Sequence, residues 1–155
     1  MADESEIRPG EQSVTLPDRF DTGLYFIGTI RTPWRTRAEC PKNPREAGGA
    51  VCTIELDPRY TAALAGLEAF SHVVVLYFMD RARRDLVVQV PRHSGKPHGT
   101  FALRSPVRPN PIAVGVVELL KIDGNALSVR GLDCLDGTPL VDLKPYRPAL
   151  DSAER

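Results

Sequence analysis

The sequence is poor in the residues that build metal centres and disulfide scaffolds. Its three cysteines, Cys40, Cys52 and Cys134, are odd in number and widely spaced, and none belongs to a Cys-x-x-Cys pair. The three histidines, His72, His93 and His98, stand at no metal-ligand spacing from them. No metal is therefore expected, and the thiols read as reduced, near-core residues of a cytoplasmic protein. No apolar run approaches the length of a membrane span and no signal-peptide pattern opens the chain, so no membrane partner is expected. A Gly-x-Gly-x-x-Gly following a strand is also missing, which removes the usual dinucleotide signature. Excess charge is absent too: 20 basic residues balance 20 acidic ones, and bulk charge points to no polyanion.

What the chain does have is an uneven distribution of that charge. Residues 1–22 hold Asp3, Glu4, Glu6, Glu11, Asp18 and Asp21 against Arg8 and Arg19. With little to bury, this segment is expected to be a flexible acidic arm, leaving 23–155 as one domain. From Arg81 to Arg108 the balance reverses. Arg81, Arg83, Arg84, Arg92, Lys96, Arg104 and Arg108 face a single acid, Asp85. Such a segment suits phosphate or carboxylate ligands, although a solvated face accounts for it equally.

Short β-favouring runs recur along the rest of the chain. They are expected at Leu24–Arg31, 50–56, 71–79 and 85–90, at Ile112–Leu120 and Ala126–Val129, and within 132–146. Asp123-Gly124 and Asp136-Gly137 supply turn signals. Asp57-Pro58 starts one short helix, with Tyr60, Leu64 and Leu67 at helical spacing. Some eight strands with one or two short helices predict a mainly β fold, a small antiparallel barrel or sandwich rather than a Rossmann fold.

The stretch Gly99–Leu120, GTFALRSPVRPNPIAVGVVELL, stands apart. Three prolines and two arginines fall within Arg104–Pro111. Each proline fixes its own φ and biases its predecessor away from helix, so a stiff loop holding two guanidiniums is expected. A recognition loop, a polyproline ligand and a plain rigid turn all remain open on this ground alone.

GTFALRSPVRPNPI, together with Asp133-Cys134-Leu135-Asp136-Gly137-Thr138-Pro139 and Asp142-Leu143-Lys144-Pro145-Tyr146, resembles the TsaA-like family from about Ile27 to about Asp151. Its best-understood members are the TrmO tRNA methyltransferases. The resemblance implies a single-sheeted β-barrel that binds S-adenosylmethionine as a homodimer. It also implies methyl transfer to N6 of threonylcarbamoyl-adenosine 37, in the tRNA anticodon loop. By family position, Lys42, Asn43, Met79, Asp80, Arg104, Val114, Asp136, Gly137, Thr138 and Pro139 would contact the cofactor. Arg108 and Asn110 would contact substrate. Where relatives often carry His-Gln, this chain has Met79-Asp80.

The chemistry of these residues is compatible with that assignment. Arg104 offers a planar, charge-assisted fork to a carboxylate. Asp142, Lys144 and Tyr146 alternate along a strand and so share a face, where a carboxylate, an ammonium and a phenol can tune one another. The resemblance casts them as the catalytic group, with Asp142 or Tyr146 as base; an ordinary surface Asp–Lys pair fits the same pattern. Two other readings also keep the motifs: a methyltransferase for another RNA or small-molecule acceptor, and a module that binds cofactor or nucleotide without turnover.

Overall fold

The structure, a computed structural model, describes residues 6–42 and 49–153. Among these, the chain runs through β1 (Gln12–Ser13), β2 (Gly28–Arg31), β3 (Val51–Leu56), β4 (His72–Phe78), β5 (Leu86–Gln89), β6 (His98–Gly99), β7 (Ile112–Asp123), β8 (Ala126–Arg130), β9 (Thr138–Pro145) and α1 (Pro148–Asp151). Two compact units result, one from residues 6–23 and Met79–Ala113, the other from Leu24–Phe78 and the chain from Val114 on.

The larger unit is a closed antiparallel barrel in the order β2-β3-β8-β7-β4-β9, with β9 returning to β2. The expected mainly β, non-Rossmann barrel is thus what the chain forms. Its interior is built by period-two burial. Cys52, Ile54 and Leu56 of β3 point inward, as do Val73, Val75 and Tyr77 of β4 and Leu127 and Val129 of β8. One face of each strand is thereby removed from water, at roughly 1.5–3 kcal/mol per fully buried large aliphatic side chain. Gly124 joins β7 to β8 with φ +60°, the left-handed geometry that the Asp-Gly hairpin signal requires.

β9 contains the one irregularity that matters for the site. Leu140 pairs with Tyr77 but Asp142 pairs with the adjacent Leu76, so Val141 is an extra residue, a β-bulge. The bulge shifts the side-chain phase by one. Leu140, fully buried, points inward, yet Asp142, two residues on, pairs outside the core register that Leu143 resumes opposite buried Val75.

The expected helix after Asp57 is a 3₁₀ helix, Pro58–Leu64. Asp57 caps it by accepting from the Arg59 amide at 3.0 Å, as the sequence indicates. Gly66, at φ +91°, breaks the winding, and a second 3₁₀ turn follows at Leu67–Ala69. Tyr60, Leu64, Leu67 and Phe70 line a half-open cavity of about 400 Å³, bordered also by Asp142 and Leu143. The helix thus buries Leu64 in the core and also walls this hollow.

The smaller unit contains a three-stranded sheet, β1-β5-β6, which a single barrel sheet does not include. Here the expectation of a flexible arm over residues 1–22 needs correction for its described part, 6–22. Nearly all the side chains of 6–22 are exposed, as composition suggests. Nevertheless β1 pairs with β5, Val14 donates its amide to the Asp85 carbonyl at 2.8 Å, and Glu11 accepts from the Val90 amide at 3.1 Å. Backbone pairing and one carboxylate hold the segment, and neither leaves a hydrophobic signature.

Candidate functional site

The proline-rich loop belongs to the smaller unit, and its stiffness has an identifiable source. Its prolines lack N–H groups, so its carbonyls must find donors elsewhere. The Gln89 side chain, 5% exposed, donates from Nε2 to the Thr100 hydroxyl at 2.8 Å and to the Val107 carbonyl at 2.7 Å. The Thr100 hydroxyl in turn donates to the Leu86 carbonyl at 2.8 Å. Arg84 donates to the Pro109 carbonyl at 2.6 Å and to Asn110 Oδ1 at 3.0 Å. The Met79 amide donates to the Pro111 carbonyl at 2.8 Å.

This bracing separates the two arginines. Arg108 folds back on the loop, and its Nη1 donates to the carbonyls of Leu103, at 2.9 Å, and Ser105, at 3.2 Å. Part of its fork, assigned above to substrate, is committed to structure. Asn110 is likewise held through its carbonyl oxygen, which leaves its NH₂ for a ligand. Arg104 is different. It is exposed, and no hydrogen bond or ion pair engages its side chain among the described residues. Asp80 is exposed and Met79 half-buried at the head of the same unit.

In the barrel, the Asp136–Pro139 turn is clasped to the end of β2. The Asp136 amide donates to the Trp34 carbonyl at 2.7 Å, and the Gly137 amide to that of Ile30 at 2.8 Å. Asp136 Oδ1 accepts from the Thr32 amide at 3.1 Å, and the Thr138 hydroxyl, buried, donates to the Leu135 carbonyl at 2.7 Å. Both side chains thus serve the turn itself. What the turn presents outward is Gly137, exposed at φ +83°, where backbone can approach a ligand without a Cβ in the way. Val114 is 47% exposed. Lys42 is exposed and engaged with a neighbour, and Asn43 lies outside the described residues.

Asp142, Lys144 and Tyr146 are only partly brought together. Lys144 Nζ lies 2.9 Å from Asp142 Oδ2, while Asp142 Oδ1 accepts from the Leu143 amide at 2.9 Å. The hydrogen bond to Asp142 holds Lys144 above the usual lysine range, so it stays an ammonium and is no base. Tyr146 lies past the end of β9. Its amide donates to the His72 carbonyl at 3.1 Å, and its ring meets the His72 ring edge-on at 6.3 Å. No hydrogen bond joins it to Asp142 or Lys144 among the described residues.

Sequence reasoning missed the Thr32–Trp34 clasp and a part-buried pair, the Tyr77 hydroxyl donating to Asp133 Oδ1 at 3.0 Å. Burial, reinforced by the neighbouring charge, pushes the Tyr77 hydroxyl far up, and burial raises Asp133 despite that hydrogen bond. Burial also pushes the Cys134 thiol up to about 12. That thiol is inert at neutral pH. Cys52 is buried like Cys134, and all three cysteines are free. Among the described residues no group of histidine, cysteine and carboxylate side chains could hold a metal, and no helix is long and apolar enough to cross a membrane.

The larger unit is thus a closed, non-Rossmann antiparallel β-barrel with a glycine turn clasped to β2, and the smaller unit holds an unpartnered arginine on a braced loop. Residues 29–152 match the family described as the tRNA-methyltransferase O N-terminal domain, and the chain belongs to that family. It is 46% identical over 143 residues to a probable S-adenosyl-L-methionine-binding protein, VirR, of Rhizobium radiobacter, covering 92% of this chain and 81% of that protein. It is 38% identical over 136 residues to the tRNA (adenine(37)-N6)-methyltransferase of Escherichia coli, covering 81% of this chain but 58% of that enzyme. The crystal structure of TrmO from Pseudomonas aeruginosa superposes with a TM-score of 0.71 at 34% identity, over 86% of this chain and 60% of that one.

Proposed function

We propose that this protein is an S-adenosylmethionine-dependent methyltransferase acting on N6 of threonylcarbamoyl-adenosine 37 of tRNA, in the cytoplasm and as a homodimer. The observation that carries the reading is the contrast between the two loop arginines. Arg108 is tied to the loop's own carbonyls, whereas Arg104 stands on the same braced loop with its fork unengaged. A guanidinium carried on a braced loop and left unpaired suits a carboxylate such as that of the cofactor's methionine moiety. Exposed Val114 offers apolar surface, and Gly137 offers accessible backbone. Each of these groups, taken in its own unit, has chemistry that suits part of the cofactor. The exposed run of Ile112, Val114 and Val116 on β7 supports the dimer, since it offers apolar surface to a second copy.

When bound, S-adenosylmethionine supplies an electrophilic methyl group; the chain's residues supply orientation and proton handling. The acceptor nitrogen is part of a urea, and its delocalised lone pair makes removal of its proton useful. Asp142, contacted by Lys144 Nζ at 2.9 Å, is the base of choice, and Tyr146 is the other candidate. Asn110 presents its NH₂ to the threonylcarbamoyl carbonyls, and the remaining N–H groups of Arg108 can reach phosphate.

A binding-only reading is favoured by relatives comparable in length to this chain whose names state only S-adenosyl-L-methionine binding. Nucleoside mass spectrometry after incubation with S-adenosylmethionine and tRNA separates the two. A methyl gained on threonylcarbamoyl-adenosine, and none on the same transcript lacking the threonylcarbamoyl group, is the expected result. Cofactor binding with no methyl gained by the modified tRNA would falsify the proposed reaction.

A further inference from the structure

Phe101 is 82% exposed, yet it does not sit on a loose segment. It lies in the 3₁₀ turn Thr100–Ala102, directly after β6. The preceding Thr100 is 2% exposed, and its hydroxyl both accepts from Gln89 and donates to Leu86. β6 itself is paired to β5, His98 opposite Gln89 and Gly99 opposite Val88. An aromatic ring is thus presented to solvent from a fixed base.

The charge on the hairpin and the turn after it is of one sign along the sequence. No acidic residue occurs from Leu86 to Val117. The connection between β5 and β6 carries Arg92 and Lys96, both exposed, and neither side chain has an ion-pair partner among the described residues. His93 and His98 are exposed on the same hairpin. The carboxylate that lies against the hairpin, Glu11, has only 2% of its side chain exposed. It is engaged by Arg8 and the Val90 amide, so it does not mask these cations. An exposed aromatic beside unpaired cations is the composition of a surface that tracks single-stranded nucleic acid, where bases stack and phosphates pair.

We propose that the β5–β6 hairpin and the turn after it are an RNA-holding surface, with Phe101 stacking on an unpaired base and Arg92 and Lys96 meeting the neighbouring phosphates. The inference rests on the tRNA reading above and adds the place where the chain holds RNA, apart from the residues assigned to cofactor. Its test is binding of bulk tRNA across a salt series, with S-adenosylmethionine affinity measured in parallel. Phe101→Ala is expected to weaken tRNA about tenfold to a hundredfold, the range for losing one stacked base, and to leave cofactor affinity unchanged. The double variant Arg92→Ala/Lys96→Ala is expected to flatten the logarithmic salt dependence by about 1.4, from roughly 0.7 per single-strand phosphate. Phe101→Trp restores binding and shows fluorescence quenching on adding tRNA. If the wild-type protein binds no tRNA at low salt, the tRNA reading itself falls and this surface with it. If it binds but all three variants bind as well as it does, the surface is wrong while the tRNA reading stands. Conversion of a dimer to a monomer by Phe101→Ala in light scattering overturns the proposal by assigning the ring to a contact between copies.

Discussion

Replacing Gln89 by leucine tests whether the proline-rich loop is held by the bonds that the structure shows. The substitution conserves approximate volume and removes Nε2, which donates to both the Thr100 hydroxyl and the Val107 carbonyl. Each neutral hydrogen bond contributes about 0.5–1.5 kcal/mol net, and a carbonyl left without its donor costs about 1–3 kcal/mol. Thr100 keeps its own donation to Leu86, so the unmet acceptor is mainly Val107. The expected loss is therefore about 2 kcal/mol, read as a lower urea midpoint at unchanged slope, or a fall of about 4–8 °C in Tm for a chain of this size. A double-mutant cycle with Thr100→Val should return a coupling of about 1 kcal/mol, because the two side chains share one bond. If the bracing also positions Arg104, cofactor affinity falls along with stability. A variant that unfolds at the wild-type midpoint, or a cycle with no coupling, refutes the bracing argument. Reduced stability with unchanged cofactor affinity refutes only its extension to Arg104.

Arg104→Ala is expected to weaken S-adenosylmethionine by about 1.5–3 kcal/mol, the range for a charge-assisted hydrogen bond, without moving Tm; calorimetry decides it. At Asp133, burial raises the carboxyl while the Tyr77 bond opposes the rise. Such a group favours the fold while protonated, below an unfolded value near ~3.9, and the advantage is lost as pH rises through the folded value. Its charge therefore costs stability at neutral pH, so Asp133→Asn, which keeps an acceptor for Tyr77, should raise Tm near neutrality, and the gain should vanish in acid. Glu11 behaves oppositely. Burial pushes its carboxyl up, but the Arg8 and Val90 amides and the Arg8 guanidinium outweigh that and set it low. The stability it contributes is present above its unfolded value near ~4.3 and lost as pH falls through the folded one. Hydrogen exchange should show the Val14 and Val90 amides losing protection in acid before the barrel does, and Glu11→Gln should abolish the pH dependence.

The barrel was legible because its strands alternate or run apolar, as in Val73-Val74-Val75, and because Asp123-Gly124 names its own turn. Leu24–Phe26 misled for the same reason. They are β-formers by type, yet Tyr25 is 84% exposed and regular pairing begins only at Gly28. The three-stranded sheet was illegible as a sheet because two of its strands are two residues long, too short to show any period. The shared face of Asp142 and Lys144 was read from alternation alone. The Val141 bulge that separates them from inward Leu140 has no sequence mark, since an extra valine in an apolar run is invisible. The motif arginines were legible as a pair; that one would be tied down and the other left unengaged depends on which carbonyls the prolines leave without donors.

Because β9 completes the circle by pairing with both β2 and β4, the barrel has a late step in its assembly. Gly28 meets Leu140 only after nearly the whole chain intervenes as a closing loop, and such long-range closure slows folding. Until Thr138–Pro145 has emerged during synthesis, β2 and β4 each retain an edge of unpaired amides and carbonyls. Those edges are the places where nascent copies can pair with one another instead. Chains interrupted before Thr138 should therefore accumulate as aggregates rather than as smaller barrels.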